Sequence, residues 1–330
     1  MSVAAGTPGR SSMGRFSTAR FSRDAFWHRQ RGAVLSFVAL LALLLVLAIL
    51  VPSTFFSATN LGNLTGQLPA LFLASLGQTF VLLTAGFDLS VGATISLSSA
   101  IFTTSLPDAA KIPLAFGAAT LVGLTNGLGC VVLRVHPIIM TLATASIVQG
   151  IALVILPTPG GTAPALFVAM ANGSLLGSPA GLVWMVLAGG AAIAFVHATR
   201  FGPWLFATGM NPETAWLSGV PASRIRVGAY VASALFAALA GAYLTGRLAS
   251  GDPNVGTALG FDSVLGAALG GTLLSGGIGG PIGTVFGVLI IGCTNNGLNL
   301  MGVSPFYQNI AKGAMLIAAV SLFRRREAGL

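Results

Sequence analysis

Long apolar stretches dominate this sequence and restrict what the chain can fold into. A helix needs about 20 consecutive apolar residues to cross the hydrocarbon core of a bilayer, and ten stretches approach that length. They are residues 33–51, 67–85, 89–105, 112–133, 137–156, 182–198, 227–246, 261–275, 281–301 and 304–322. The pattern predicts an all-α polytopic protein with about ten transmembrane helices in a lipid bilayer.

Composition supports the membrane class and argues against a soluble domain. Apolar residues make up 55% of the 330 residues and charged residues only 7%, whereas a soluble domain carries about 25% charged residues. The two cysteines, Cys130 and Cys293, lie inside apolar stretches and show neither metal-binding spacing nor a disulfide framework. We therefore interpret them as reduced residues that pack between helices.

The two ends of the chain differ in composition from its apolar middle. The N-terminal residues are rich in Ser and Arg and lack an apolar core, which is typical of a disordered tail. The first apolar stretch is too long for a signal-peptide core and precedes no small-residue cleavage pattern, so we interpret it as a retained helix. The sequence thus predicts a basic tail at 1–31, one transmembrane domain at 32–323 and a C-terminal tail at 324–330.

Basic residues are distributed unequally between the two sides of the predicted bundle. One side receives thirteen arginines, whereas the other receives only Lys111 and Arg247. Because cytoplasmic loops carry an excess of Lys and Arg, we predict a multi-pass protein of the bacterial inner membrane with both termini in the cytoplasm. Topology then explains the net charge of +9, and no nucleic-acid partner is expected.

Landmarks in the first half of the chain return in the second half in the same order. The matched pairs, with offsets of 174, 170 and 168 residues, are Asp88 with Asp262 (each ending a Gly-Phe-Asp), Asn126 with Asn296, and Pro137 with Pro305. They predict a duplicated unit that comprises spans two to five and seven to ten. Span two runs inward and span seven outward, so the copies are inverted. Inverted repeats are common in transporters, with the pathway at the repeat interface.

The longest polar segment between spans, about residues 200–226, faces the predicted cytoplasmic side. Asn211 suits a helix N-cap, Pro212 the first helical position, and Glu213 the positive end of the helix dipole. Gly219 suits the position just after a helix. A short surface helix is therefore predicted over the intervening residues. Two interpretations stay open: a docking site for a cytoplasmic partner, or a helix that rests on lipid headgroups.

Four segments between about residues 60 and 322 resemble, in order, those of a known family. They are "LTAGFDLSVGA", "HPIIMTLATASIVQG", "TGMNPETAWLSGV" and the block from "GGTLLSGGIGGPIGT" to "NIAKG". The family comprises the permease subunits of bacterial ABC importers for monosaccharides of the ribose, xylose and galactose type. The resemblance implies a homodimer, cytoplasmic ATPase subunits and a periplasmic sugar-binding protein. It implies neither catalytic residues nor a cofactor in this chain.

The resemblance also implies how such a chain is driven. ATP binding closes the ATPase dimer, the cytoplasmic coupling helices move with it, and the bundle switches from outward to inward access. Residues expected to couple this chain to the ATPase are Gly209, Asn211, Pro212, Glu213, Ala215 and Gly219. The chain has no Gly-x-x-x-x-Gly-Lys-Ser/Thr sequence with which to bind the nucleotide itself.

Six polar or charged residues lie on or beside the apolar stretches: Asp88, Asn126, Asp262, Asn295, Asn296 and Lys312. One interpretation is that they line a translocation pathway. The other is structural, with the aspartates capping the helices that follow them and the asparagines joining helices. An ionised lysine within a span costs roughly 2.5–3.5 kcal/mol, so Lys312 is expected to pair with Asp88, Asp262 or backbone carbonyls, or to face a cavity.

Three classes of function are compatible with the sequence. The first is a sugar-importing permease powered by a partner ATPase. The second is a related permease for another cargo, such as a branched-chain amino acid or a signalling furanose. The third is an ion-driven secondary transporter, which should carry an acidic residue at mid-membrane; here the acids fall at predicted span ends. An intramembrane enzyme is poorly supported, because no nucleophile–base pair or metal-binding set is present.

Overall fold

The computed structural model describes residues 23–175 and 178–322. Within these residues a short hairpin, β1 (Ser174–Leu175) and β2 (Ser178–Pro179), accompanies fourteen helices. The helices are α1 (Arg23–Leu50), α2 (Pro52–Phe55), α3 (Ala58–Leu83), α4 (Val91–Phe102), α5 (Asp108–Val131), α6 (Pro137–Ile155), α7 (Ala165–Asn172), α8 (Ala180–Ala198), α9 (Phe201–Met210), α10 (Pro212–Leu217), α11 (Ala222–Leu248), α12 (Thr257–Leu269), α13 (Pro281–Leu300) and α14 (Pro305–Leu322).

Seven of the described helices are long and apolar enough to cross a membrane: α1, α3, α5, α6, α8, α11 and α13. The helix α14 has 18 residues but is more polar, because it carries Lys312 and Gln308. Apolar side chains of α6 point outward, and Val154 is 83% exposed. Such outward apolar surface suits lipid. The all-α polytopic class is confirmed.

Two of the ten predicted spans are too short to cross a bilayer. Stretch 89–105 contains α4, of 12 residues, and stretch 261–275 contains α12, of 13 residues. At 1.5 Å per residue these helices span about 18–20 Å, whereas the hydrocarbon core is about 30 Å thick. We therefore describe α4 and α12 as half-helices. The irregular backbone before each is tolerated at membrane depth because protein surrounds it.

The half-helices begin at a shared point and run in opposite directions. At their N-terminal ends the backbones of Gly92 and Gly256 touch, so a Cβ on either would meet the carbonyl oxygen of the other. At its other end α4 reaches Thr103, which contacts Gly251. The C-terminal end of α12 instead reaches Gly271, which lies against α1. The two half-helices therefore lead from the interior to opposite faces of the molecule.

The residues of the two duplicated halves correspond in a different way from the predicted pairing. Helices α3 and α11 are each followed by an alanine with positive φ, Ala85 (φ 57°) and Ala249 (φ 53°). Three residues later come Asp88 and Asp252, and each accepts a hydrogen bond from the backbone N–H two residues on, at 3.0 and 2.8 Å. "DLSVG" and "DPNVG" are thus equivalent, with an offset of 164. The pairing of Asp88 with Asp262 was wrong, because Asp262 lies inside α12.

The N-terminal boundary also needs correction. Residues 23–31, predicted as part of a disordered tail, form the first turns of α1. Farther along, the Ser36 hydroxyl donates to the carbonyl of Leu269 at the end of α12, and Gly32 packs against Gly271. The first helix is therefore attached to the second half-helix. The rest of the predicted N-terminal tail, and the C-terminal tail 324–330, lie outside the described residues.

Candidate functional site

The polar segment 200–226 contains the predicted short helix, α10, between α9 and the start of α11. The Asn211 side-chain oxygen accepts from the N–H groups of Glu213 and Thr214, both at 3.0 Å, and Pro212 is the first helical residue of α10. At the other end Gly219 has φ +81° and donates to the carbonyl of Trp216. The N-cap at Asn211 and the helix-ending role of Gly219 are confirmed.

One side of this segment is buried against the bundle, and the other side is exposed. A Cβ on Gly209, near the end of α9, would meet the carbonyl of Leu83 and the N–H of Gly277, so no larger residue fits there without a shift. Ala215 is buried. On the exposed side, Trp216 and Leu217 are 68% and 73% exposed. The buried side contacts the end of α3, immediately before the backbone segment that leads to Asp88.

Asp88 is fully enclosed between three helices. Its Oδ1 accepts from the backbone N–H of Ser90 (3.0 Å) and from the Ser90 hydroxyl (2.6 Å), and its Oδ2 accepts from the Ser233 hydroxyl of α11 (2.8 Å). Asn126 of α5 donates to the Ser90 hydroxyl at 2.8 Å. In the amide orientation that satisfies both of its ends, Gln78 bonds to the backbone of Asp88. These contacts tie the segment before α4 to α3, α5 and α11.

The position of Asp88 corrects two expectations. Its carboxylate accepts from the N-cap residue Ser90 rather than from the free amides of the first turn of α4, so it orders the turn before the helix instead of capping it. It also contacts Ser233, the twelfth of the 27 residues of α11. Asp88 therefore lies deep within the bundle, and its placement at a span end was wrong.

Asp262 and Lys312 form an ion pair between α12 and α14. The Lys312 Nζ lies 2.7 Å from the Asp262 Oδ2, and both side chains are largely shielded from solvent. The expected pairing of Lys312 is confirmed, with Asp262 as the partner. Because Asp262 is the sixth residue of α12, its predicted role as a cap for this helix was wrong.

The asparagines of α13 have different surroundings. Asn296 exchanges two hydrogen bonds with Asn60 of α3, at 2.8 and 2.9 Å, so it joins helices as the structural interpretation predicts. The neighbouring Asn295 has a buried side-chain oxygen without a partner among the described residues. The sequence does not indicate Asn60, because the predicted apolar stretch begins only at residue 67, whereas α3 begins at Ala58 with a polar first part.

The described part of the chain holds no cluster of metal-binding side chains. Within residues 23–175 and 178–322, no three His, Cys, Asp or Glu side chains lie close enough to hold a metal ion. The two cysteines are free and buried. The surface helix α10 is instead supported by Gly209, which contacts the backbone before α4 at Leu83 and the backbone after α12 at Gly277.

Comparison with known proteins identifies the family. The family described as branched-chain amino acid transport system, permease component, matches residues 60–320. The chain belongs to this family of permeases. The matched region runs from α3 to α14 and so includes both half-helices and α10. The permease is a multi-pass protein of the inner membrane.

Several characterised relatives align along nearly the whole permease. The ribose import permease protein RbsC of Bacillus subtilis is 40% identical over 301 residues, which is 88% of this chain and 92% of the relative. RbsC of Haemophilus influenzae is 35% identical, covering 92% and 95%. The galactose/methyl galactoside import permease protein MglC of Escherichia coli K12 is 34% identical, covering 87% and 92%. No solved structure matches the permease.

Proposed function

We propose that this chain is the membrane-spanning permease subunit of an ABC importer that moves a monosaccharide from a periplasmic binding protein into the cytoplasm. The cargo class is supported by the names of the relatives, which are ribose and galactose import permeases. A branched-chain amino acid, which the family description mentions, and a signalling furanose are the alternative cargoes. The chain itself then carries no catalytic residue, and ATP is hydrolysed by a separate partner.

The backbone contact between Gly209 and Leu83 carries this proposal. It connects the support of α10 to the last carbonyl of α3 without an intervening side chain. The same Leu83 carbonyl accepts from the N–H of Gly277 at 3.0 Å, in the segment between α12 and α13. A displacement of α10 by an ATPase is thereby passed to both segments that adjoin the half-helices.

The remaining partners follow from the same assignment. The side with Arg134, Arg200, Arg224 and Arg226 is cytoplasmic by the positive-inside rule, so both termini and α10 face the ATPase. The periplasmic binding protein docks on the opposite face. A second copy of the permease completes the pathway, as the resemblance to homodimeric importers implies.

An ion-driven transporter is the second candidate, and one observation favours it. A secondary transporter is expected to carry an acidic residue at mid-membrane, and Asp88 is buried among helices with no cationic partner in the described part of the chain. Asp88 is, however, held by three hydrogen bonds to its carboxylate. This arrangement satisfies the group structurally without a bound ion.

The decisive experiment is sugar-stimulated ATP hydrolysis by the reconstituted complex of permease, ATPase and binding protein. We expect the Gly209→Ala/Asn211→Ala variant to assemble but to lose stimulation, because the new Cβ displaces α9 from Leu83 and the cap of α10 is lost. Gly150→Ala is the matched control, since its Cβ meets no atom within 4 Å. Solute flux that follows a proton or sodium gradient, with no ATPase copurifying, would overturn the proposal.

A further inference from the structure

A pocket of about 470 Å³ opens beside α10, between the α5–α6 turn and the start of α11. Its polar lining includes Arg134, His136, Ser223 and Arg226, and Pro212 of α10 forms part of its wall. Two arginines and a histidine share one concave surface. The pocket is therefore suited to an anionic group.

The two arginines have no acidic partner in the part of the chain that the structure describes. In residues 23–175 and 178–322, the ion pairs are Lys111 with Asp108 and Lys312 with Asp262, and neither the Arg134 nor the Arg226 side chain makes a hydrogen bond. The nearest acidic residue in sequence to the pocket wall is Glu213, which is exposed and also unpaired among these residues. Among the described residues, no acidic side chain therefore pairs directly with either arginine of the pocket.

The backbone holds Arg134 in an unusual conformation. Its φ is +55°, in the left-handed region that non-glycine residues seldom adopt. The next N–H, of Val135, donates to the carbonyl of Gly129 and closes the end of α5. This turn places Arg134 at the pocket instead of continuing α5 away from it.

The N-terminal ends of two helices add to the positive potential. Pro137 and Ala222, which begin α6 and α11, both line the pocket. Helix N-termini carry unpaired N–H groups and the positive end of the helix dipole. They reinforce the attraction that the two arginine side chains provide.

We propose that this pocket receives a carboxylate side chain of the ATPase subunit when that subunit docks on α10. The inference rests on the proposed function, and it goes beyond it by naming the chemistry of the contact. The pocket adjoins α10 through Pro212, and the exposed side of α10 presents Trp216 and Leu217. The partner surface that fits this permease therefore combines an apolar groove for these two side chains with an acidic residue beside it.

The chain offers a matched pair of arginines for the test. Arg224 and Arg226 both lie in the first turns of α11, but only Arg226 lines the pocket. Removing one partner of a partly buried charge pair weakens binding strongly. We expect Arg226→Gln to weaken binding of the copurifying ATPase about tenfold or more and to lower its salt dependence, whereas Arg224→Gln changes it less than about twofold. Arg226→Lys, which keeps the charge, should retain most of the affinity.

The binding measurement is made in nanodiscs of phosphatidylcholine, with and without phosphatidylglycerol, and each variant is first shown to be monodisperse. Equal effects of Arg224→Gln and Arg226→Gln would overturn the inference. So would a retained ATPase affinity in Arg226→Gln combined with loss of a phosphatidylglycerol effect, which would assign the pocket to a lipid phosphate. Weaker ATPase binding by Trp216→Ala but not by Arg226→Gln would support docking on α10 and contradict the role of the pocket. Absence of any ATPase binding to the native chain would contradict the proposed function as well.

Discussion

The Nζ of Lys312 and the Oδ2 of Asp262 lie 2.7 Å apart and join the second half-helix to the last helix of the chain. The side chains of Lys312 and Asp262 are only 13% and 9% exposed, so little water reaches the pair. Breaking a buried pair by removing one member typically costs about 3–5 kcal/mol, whereas removing both costs less.

This ion pair gives the first prediction. Asp262→Ala and Lys312→Met should each lower the midpoint of thermal unfolding in detergent. The loss of stability in the double variant should be smaller than the sum of the losses in the two single variants. A double-mutant cycle measured by thermal unfolding gives the coupling. Strictly additive effects would show that the pair contributes nothing to stability.

The second prediction concerns the contact at the start of the half-helices. A Cβ on Gly92 would lie 2.5 Å from the carbonyl oxygen of Gly256, so Gly92→Ala forces the two backbones apart. We expect a loss of about 1–3 kcal/mol, typical of overpacking, together with reduced transport in proteoliposomes. The control is Gly117→Ala, whose Cβ has no neighbour within 4 Å. Full activity and stability of Gly92→Ala would contradict the geometry.

The third prediction separates the structural role of Asp88 from a role in ion coupling. Asp88→Asn keeps an oxygen acceptor for Ser90 or Ser233, whereas Asp88→Ala leaves their donors unpaired at a cost of about 1–3 kcal/mol. If the residue is structural, Asp88→Asn retains most of the ATP-driven uptake and Asp88→Ala loses stability. A variant Asp88→Asn that is stable but has lost all uptake would instead indicate that transport needs the carboxylate.

The fourth prediction concerns the paired amides of Asn60 and Asn296. Hydrogen bonds between membrane helices contribute roughly 0.6–2 kcal/mol, and this pair makes two. Asn296→Ala should lower the unfolding midpoint in detergent. Asn309→Ala, at an exposed position of α14, should leave it unchanged. Equal midpoints for the two variants would mean that the amide pair is dispensable.

Local features were predictable from the sequence, and long-range ones were not. The cap at Asn211 depends on residues two and three positions away, so composition and spacing sufficed to predict α10. The partner of Asn296 lies 236 residues away, and no local pattern indicates it. Lys312 was an intermediate case: its burial cost required a partner, and Asp262 was one of a few candidates.

Hydropathy alone does not distinguish the half-helices from full membrane spans. The predicted stretch 89–105 adds Leu89, Ser90 and residues 103–105 to α4 (Val91–Phe102), because uncharged residues outside a helix count toward an apolar stretch in the same way as those inside it. The sequence also does not indicate the true repeat. Asp88 and Asp252 are equivalent in backbone geometry, but their neighbours differ, since Leu89 and Ser90 correspond to Pro253 and Asn254. Positive φ at Ala85 and Ala249, which only coordinates reveal, establishes the register.

The hydrogen bond from Ser36 to Leu269 has a consequence for the first helix. A helix ends with carbonyl groups that have no partner of their own, and in a bilayer each such group must be satisfied by protein. Ser36 supplies one of these partners to α12, from a helix that precedes the family's matched region at residue 60. The first helix thus completes the second repeat from outside it, and a truncated chain that began at α3 would leave the Leu269 carbonyl without the partner that Ser36 supplies.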